Sequence, residues 1–264
     1  MSNPAETYER YMVPVLFAPS AERLLAVARP RAGERVLDVG CGTGIVARHA
    51  APLVDPGGST VGLDPSADML TVARQAAARA GLSVDWRQGR AEALPFPTGH
   101  FDLVLCQYAL MFFADQGAAL TEIRRVLPAA GRAVLSVWQG LDRHPFYQVL
   151  DRAIERQLGT SGVRDIFALR DAAELRERVA KAGFAHVEVE PFSLVARFPD
   201  PDGFLAGEID VDTAAIPAMQ HLDTAARADL TARIRSEMAD ALRAVVVGGQ
   251  VELPFHAYIV RASG

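Results

Sequence analysis

Cysteine is nearly absent: Cys41 and Cys106 are the only two in 264 residues, too few for a disulfide framework. Aromatic residues make up only 7% of the chain, and there is no basic excess, because 27 lysines and arginines face 32 aspartates and glutamates for a formal net charge of −5. That balance offers no general attraction to a nucleic-acid backbone or an anionic bilayer. Long apolar runs are missing too, since charge or proline interrupts each within about ten residues, short of the ~20 needed to cross a bilayer. The first residues carry Glu6 and Glu9 where a secretion signal needs positive charge followed by an apolar core. These absences lead to the expectation of a cytoplasmic protein with no disulfide, membrane span or nucleic-acid partner. With half of its residues hydrophobic and 22% charged, the chain is neither a disordered polar polymer nor a coiled coil. Its length suits one α/β domain with an elaboration.

From residue 34 onward, apolar runs alternate with helical stretches. Val36 to Val39 reads as a strand, 44–53 as a helix, Ser59 to Leu63 as a strand and Ser66 to Ala80 as a helix. Further strands are predicted at Ser83 to Gln88, Phe101 to Cys106 and Gly131 to Trp138, with a helix at about Asp115 to Leu127. Strands separated by helices imply a parallel sheet covered on both faces. Pro56-Gly57-Gly58 marks a turn, Ser66 can cap the helix that follows it, and Gly81 can end that helix. Beyond Trp138 the rhythm changes. Helices are predicted at about 145–158 and 171–182, then an alternating strand from Ala185 to about Phe198. A mostly helical insertion runs from Pro201 to about Val247, closed by Gly248-Gly249, before a last strand from Val251 to Val260. The expectation is a doubly wound α/β fold whose seven-stranded sheet is mostly parallel and antiparallel at its end, with a helical cap. Residues 1–30 are read as N-terminal lid helices, 31–140 as the ligand-binding core, and 141–264 as the remaining strands with a cap insertion at about 200–248.

The first strand ends in V-L-D-V-G-C-G-T-G, residues 36 to 44. A loop so rich in glycine lets a ligand approach the backbone, and it is equally a tight strand-to-helix turn. A dinucleotide fingerprint places its third glycine at the sixth position, which here is Ile45, so the spacing is GxGxG. Asp64 closes the second strand twenty residues after Gly44. There a carboxylate can accept from both hydroxyls of a ribose, or cap its own turn with Pro65 and Ser66.

These residues, with G-L-D-P-S-A-D-M-L (62 to 70), A-E-A-L-P-F (91 to 96), F-D-L-V-L-C-Q (101 to 107) and the approach segment Y-E-R-Y-M-V-P from Tyr8, carry a resemblance. The chain resembles the class I S-adenosylmethionine-dependent methyltransferases, in the small-molecule group that includes the ubiquinone and menaquinone biosynthesis enzymes. The resemblance covers residues 34 to 140 closely and the rest loosely. It implies a Rossmann-like fold that binds S-adenosylmethionine, releases S-adenosylhomocysteine, and methylates a small, partly apolar molecule. It implies that Asp38 and the loop with Gly40 and Gly42 face the amino-acid end of the cofactor, that Thr43 donates to its carboxylate, and that Asp64 holds the ribose. Pro65 or Met69 would pack on adenine, Ala91 would offer its backbone N–H with Glu92 beside it, and Gln107 would lie near the sulfonium. Relatives carry an Asp before that alanine, where this chain has Arg90, which offers no acceptor.

Methyl transfer asks the protein mainly to orient two reactants and, where needed, to remove a proton. His144, after the fifth strand in D-R-H-P-F, is the candidate base, with a capping or exposed loop histidine as the plain alternative. Tyr108, Phe112, Phe113, Phe146 and Tyr147 follow the fourth and fifth strands. Of these Tyr108, Phe112 and Phe146 are read as acceptor contacts, or else as core. Tyr8 and Tyr11, one helical turn apart, are read as a face closing over acceptor and cofactor, or as an ordinary packed helix. The remaining histidines show no metal-ligand spacing, and the cysteines are read as buried thiols. The run Glu208, Asp210, Asp212 is read as a solvated face. A nicotinamide-dependent oxidoreductase, disfavoured by the glycine spacing, and a non-methylating S-adenosylmethionine-binding protein are the rival readings. An enzyme methylating bases is disfavoured by the charge and by C-Q-Y-A at 106 to 109 in place of an Asn/Asp-Pro-Pro-aromatic motif.

Overall fold

The computed structural model describes residues 3–160, 163–216, 219 and 221–264, without the side chains of 212–215. Positions 217, 218 and 220 of the expected helical insertion, and the side chain of Asp212, therefore lie outside the described residues. The chain divides into two compact units. One comprises Met1–Leu16, Trp138–Arg170 and Ser193–His256, the other Phe17–Val137, Asp171–Phe192 and Ala257–Gly264.

At the N-terminus, α1 (Pro4–Thr7), a π-helical stretch (Tyr8–Phe17) and α2 (Ala18–Ala28) follow one another without a break. The joined run is 25 residues long and, by length and composition alone, apolar enough to cross a membrane. Met12, Val13, Leu16, Leu24 and Leu25 on it are nevertheless buried inside the protein.

The second unit holds the strand-helix alternation. Its elements are β1 (Arg35–Val39), α3 (Ile45–Val54), β2 (Ser59–Asp64), α4 (Ala67–Arg79), β3 (Asp85–Gln88), β4 (Leu103–Gln107), α5 (Gln116–Arg125) and β5 (Arg132–Trp138). Strands β1, β4 and β5 are buried along nearly their whole length, which is why they read as unbroken apolar runs. Each boundary has a local cause. The Ser66 hydroxyl accepts from the Met69 N–H at 3.3 Å to start α4, and Gly81, at φ +66°, follows its end. Asp115 caps α5 by accepting from the Ala118 N–H at 2.9 Å.

The strands β1 to β5 pair in parallel. Completed by α7 (Ala172–Lys181), β6 (His186–Phe198) and β8 (Gln250–Ser263), the sheet has the order β3-β2-β1-β4-β5-β8-β6. The order reverses at β1, whose neighbours β2 and β4 lead away in opposite directions. In such a sheet ligands bind at the carboxyl ends of the strands at this switch point.

The first unit contains α6 (Pro145–Leu158), α8 (Pro201–Ala215), α9 (Thr224–Glu237) and α10 (Ala239–Ala244) around buried Phe146, Tyr147, Phe167, Phe198, Phe204 and Phe255. An eighth strand, β7 (Val246–Val247), pairs antiparallel with the start of β8. The sequence reading ended a helical insertion at Gly248-Gly249. The structure uses these two glycines, at φ +58° and +82°, as the two-residue loop of a hairpin. Glu208 also departs from expectation, being buried at 2% exposure and not on a solvated face.

Candidate functional site

The glycine loop lies at the switch point, between β1 and α3. Gly40, Gly42 and Gly44 sit at φ +67°, +54° and +81°, a conformation that costs little only without a Cβ. The loop is pinned from β2. The Gly40 and Cys41 N–H groups both donate to the Leu63 carbonyl, at 2.8 and 3.0 Å, and the Gly42 N–H donates to Asp64 Oδ2 at 2.8 Å. The glycines have different reasons. A Cβ on Gly40 would overlap the Ala109 side chain and one on Gly44 would overlap the Trp86 ring, whereas one on Gly42 would meet nothing within 4 Å. Two glycines thus serve packing, and the third turns bare backbone towards open space.

Asp38, at the end of β1 and 1% exposed, accepts from the Ala47 N–H at 3.0 Å through Oδ2. Ala47 is the third residue of α3, so the strand supplies the helix cap that Gly44 cannot. Its Oδ1 is buried without a partner among the described residues, as is Oγ1 of Thr43, also 1% exposed. Burial, reinforced by the charge of Asp64, pushes the Asp38 carboxyl up to about 7. Asp64 is buried as well, and burial pushes its carboxyl up despite N–H donation from Ser66 and Gly42, each at 2.8 Å. The turn-capping role considered for Asp64 is therefore present in the structure, and a carboxylate with about four lone-pair directions still has room for further donors.

Nearby, Pro65 is exposed, Met69 half-buried, and Ala91 buried at the start of a single 3₁₀ turn, Ala91–Ala93. Glu92 departs from expectation. Its Oε1 accepts from the Ala114 N–H at 2.8 Å and its other oxygen lies 3.5 Å from Arg90, so this carboxylate braces the segment after β4. Gln107 is the last residue of β4, not one past it. It donates to the Phe17 carbonyl at 3.1 Å, while its Oε1 is buried without a partner among the described residues. Tyr108, at φ +50°, is buried and donates to Ser20 Oγ at 3.2 Å. Phe112 is 54% exposed. Trp86 escaped sequence reading. It faces Gly62 across the β2–β3 pair, and its ring fills the space beside both Gly62 and Gly44, a fit that no local pattern announces.

In the first unit His144 is not placed as a base. It is 1% exposed, its Nδ1–H donates to the Gly140 carbonyl at 3.1 Å, and its Nε2 accepts from the His256 N–H at 3.0 Å. Phe167 lies 4.5 Å away, ring to ring. Burial holds the imidazole neutral, down to about 4. Both nitrogens are used and the ring is enclosed, so His144 ties β8 to the segment after β5 without a free lone pair. Phe146 is buried beside Phe204, Tyr8 is half-buried in the π-helical stretch, and Tyr11 stacks on Phe198 at 5.5 Å. Both cysteines are free and buried, and burial raises their thiols. Among the described residues no His, Cys, Asp and Glu group of three could hold a metal.

Residues 37–135, which contain this loop and the switch point, match the family described as "Methyltransferase domain". That stretch is similar to methyltransferase domains, and its fold is of the Rossmann-like kind. The chain is 39% identical over 113 residues to the uncharacterised methyltransferase YcgJ of Bacillus subtilis, covering 42% of this chain and 44% of that protein. It is 40% identical over 121 residues to nocamycin O-methyltransferase of Saccharothrix syringae (46% and 43%). To 2-phytyl-1,4-naphtoquinone methyltransferase of Synechococcus elongatus it is 36% identical over 133 residues (50% and 54%). The chain spans about half the length of the curated relatives it matches. The crystal structure of YcgJ shares the fold over 92% of this chain and 97% of its own, with a TM-score of 0.61 at 22% identity.

Proposed function

We propose that the chain transfers a methyl group from S-adenosylmethionine to a small, partly apolar molecule. The observation that carries this reading is the bare face of Gly42, flanked by Asp38 Oδ1 and Thr43 Oγ1, both buried without a partner among the described residues, and backed by Asp64. Each atom fits a different part of that cofactor. Asp38 would accept from its ammonium, Thr43 would donate to its carboxylate, and Asp64 would accept from the ribose hydroxyls. Pro65 or Met69 would pack on adenine, and Ala91 would offer it a backbone N–H. When bound, the cofactor supplies a methyl group already activated by the sulfonium, so this chain's residues have to orient and to exclude water. No base is assigned, because His144 has no free nitrogen. The relatives named for nocamycin and for a phytylated naphthoquinone support a small acceptor with apolar parts.

Calorimetric titration tests the reading. The chain should bind S-adenosylhomocysteine with micromolar affinity and give no heat with NAD. Asp64→Ala, by removing charge-assisted hydrogen bonds of about 1.5–3 kcal/mol each, should weaken binding at least about tenfold. Binding of NAD, or unchanged affinity in the variant, would overturn it.

A further inference from the structure

The first unit buries a carboxylate that the proposed chemistry has not used. Glu208, on α8, is 2% exposed, and its Oε2 accepts from the Tyr147 hydroxyl on α6 at 2.9 Å. Five rings of the same unit form a series. Tyr11 stacks on Phe198 at 5.5 Å, Phe198 lies 4.8 Å from Phe204, Phe204 5.5 Å from Phe146, and Phe146 5.7 Å from Tyr147. The series thus leads from Tyr11 to the tyrosine that holds Glu208. The residue before Glu208 is Gly207, and a Cβ there would lie 2.8 Å from the Tyr11 ring, so the glycine lets α8 approach the tyrosine. The Tyr11 hydroxyl is itself buried and has no partner among the described residues.

We propose that Tyr11, Tyr147 and Glu208 form the polar end of a binding site in the first unit for a hydroxyl group carried on an aromatic or otherwise apolar small molecule. The inference rests on the reading above, in which that molecule is the methyl acceptor. Burial, then the negative charges of Glu208 and Asp200, keep the Tyr11 hydroxyl protonated, so it stands as a donor without an acceptor among the described residues. Glu208 is an acceptor with capacity for more than one donor, since a carboxylate offers about four lone-pair directions. A hydroxyl accepts from Tyr11 and donates to Glu208 at once. A ketone or an ether only accepts, and an ammonium only donates. The five rings suit the apolar remainder of such a molecule.

The test uses the full chain and two probes, 1-naphthol and 1-methoxynaphthalene, which share a ring system and an accepting oxygen but differ in the O–H donor. The unaltered chain should bind 1-naphthol at least about tenfold more tightly than its methyl ether, the worth of one hydrogen bond to a charged acceptor. Glu208→Gln should cut that preference at least about threefold while leaving the ether's affinity within about twofold, because an uncharged acceptor holds the donor less strongly. Tyr11→Phe should weaken both probes yet leave the unfolding midpoint of the free protein unchanged or higher, since it removes a buried hydroxyl that bonds nothing among the described residues. A purely structural tyrosine would lower stability and leave probe binding alone. If Glu208→Gln does not fold, Tyr11→Phe decides by itself. Absence of naphthol binding, equal affinity for the two probes, or variants that leave both affinities unchanged would overturn the inference. A parallel titration with S-adenosylhomocysteine separates the two failures. Binding of that product without any preference for naphthol sinks the hydroxyl site alone, whereas absence of product binding sinks the methyltransferase reading and leaves the naphthol titration to judge this site.

Discussion

Asp38 combines two roles in one side chain: one oxygen caps α3 through Ala47, and the other is buried with no partner among the described residues. Its carboxyl, pushed up to about 7 by burial, ionises near neutrality, and only the ionised form attracts an ammonium. Affinity for S-adenosylhomocysteine should therefore rise between pH 6 and 8 and level off above, about tenfold at most per unit of pH, and Asp38→Asn should flatten the rise. Calorimetry at three pH values checks this, and a flat profile in the unaltered chain would remove Asp38 from ammonium recognition. The type and position of Asp38 and Asp64 were legible in the sequence because both end strands beside a glycine loop. The engagement of Glu92 and His144 was not. Each bonds backbone distant along the chain, Glu92 at Ala114 and His144 at His256, and no local pattern records such a partner.

The β1 loop and the strands beside it hold glycines of two kinds. Gly62 lies under the Trp86 ring, while Gly42 opens onto free space. Gly62→Ala should then overpack the sheet and cost about 1–3 kcal/mol of stability. Gly42→Ala meets no atom and should cost only the strain of a Cβ at positive φ, about 1 kcal/mol, yet should impair cofactor binding more. Urea unfolding with a parallel product titration separates them. The assignment of Gly42 to ligand approach fails if its variant binds normally. Helix starts behaved as local chemistry predicts, Ser66 and Asp115 both capping their helices. The hairpin at Gly248-Gly249 did not, because a two-residue strand has too few residues to show a period.

For the chain as a whole, pH should act on stability through two buried groups with opposite signs. His144 titrates near 4 when folded, against about 6.5 in an unfolded chain. Its neutral burial supports the fold fully above about 6.5, and that support is lost as pH falls towards 4, by at most about 3 kcal/mol. Asp38, raised to about 7, holds a proton that the unfolded chain has released, so its contribution is present at low pH and lost as pH rises through 7. The two slopes oppose each other between pH 4 and 6.5, so the comparison that isolates His144 is with a variant. His144→Asn should be destabilised at pH 7, where the bonds to Gly140 and from His256 are lost, and the gap to the unaltered chain should narrow at pH 5. A gap independent of pH would mean that the imidazole protonates freely when folded.

From the sequence alone came the alternation of strands and helices, the capping residues, the glycine spacing that excludes a dinucleotide fingerprint, and the resemblance at residues 34 to 140. All of these depend on residues close together along the chain or on periods that burial imprints on them. Tertiary structure alone decided which of three neighbouring glycines faces open space, that His144 is enclosed and fully bonded, that Phe112 is exposed while Phe146 is core, and that Glu208 is buried against Tyr147 instead of solvated. In each case the deciding neighbour comes from a distant segment: Trp86 for Gly44, His256 for His144, Phe204 for Phe146 and Tyr147 for Glu208. Burial and hydrogen-bond satisfaction are properties of the packed chain, and a linear pattern carries them only where the partner lies within a few residues.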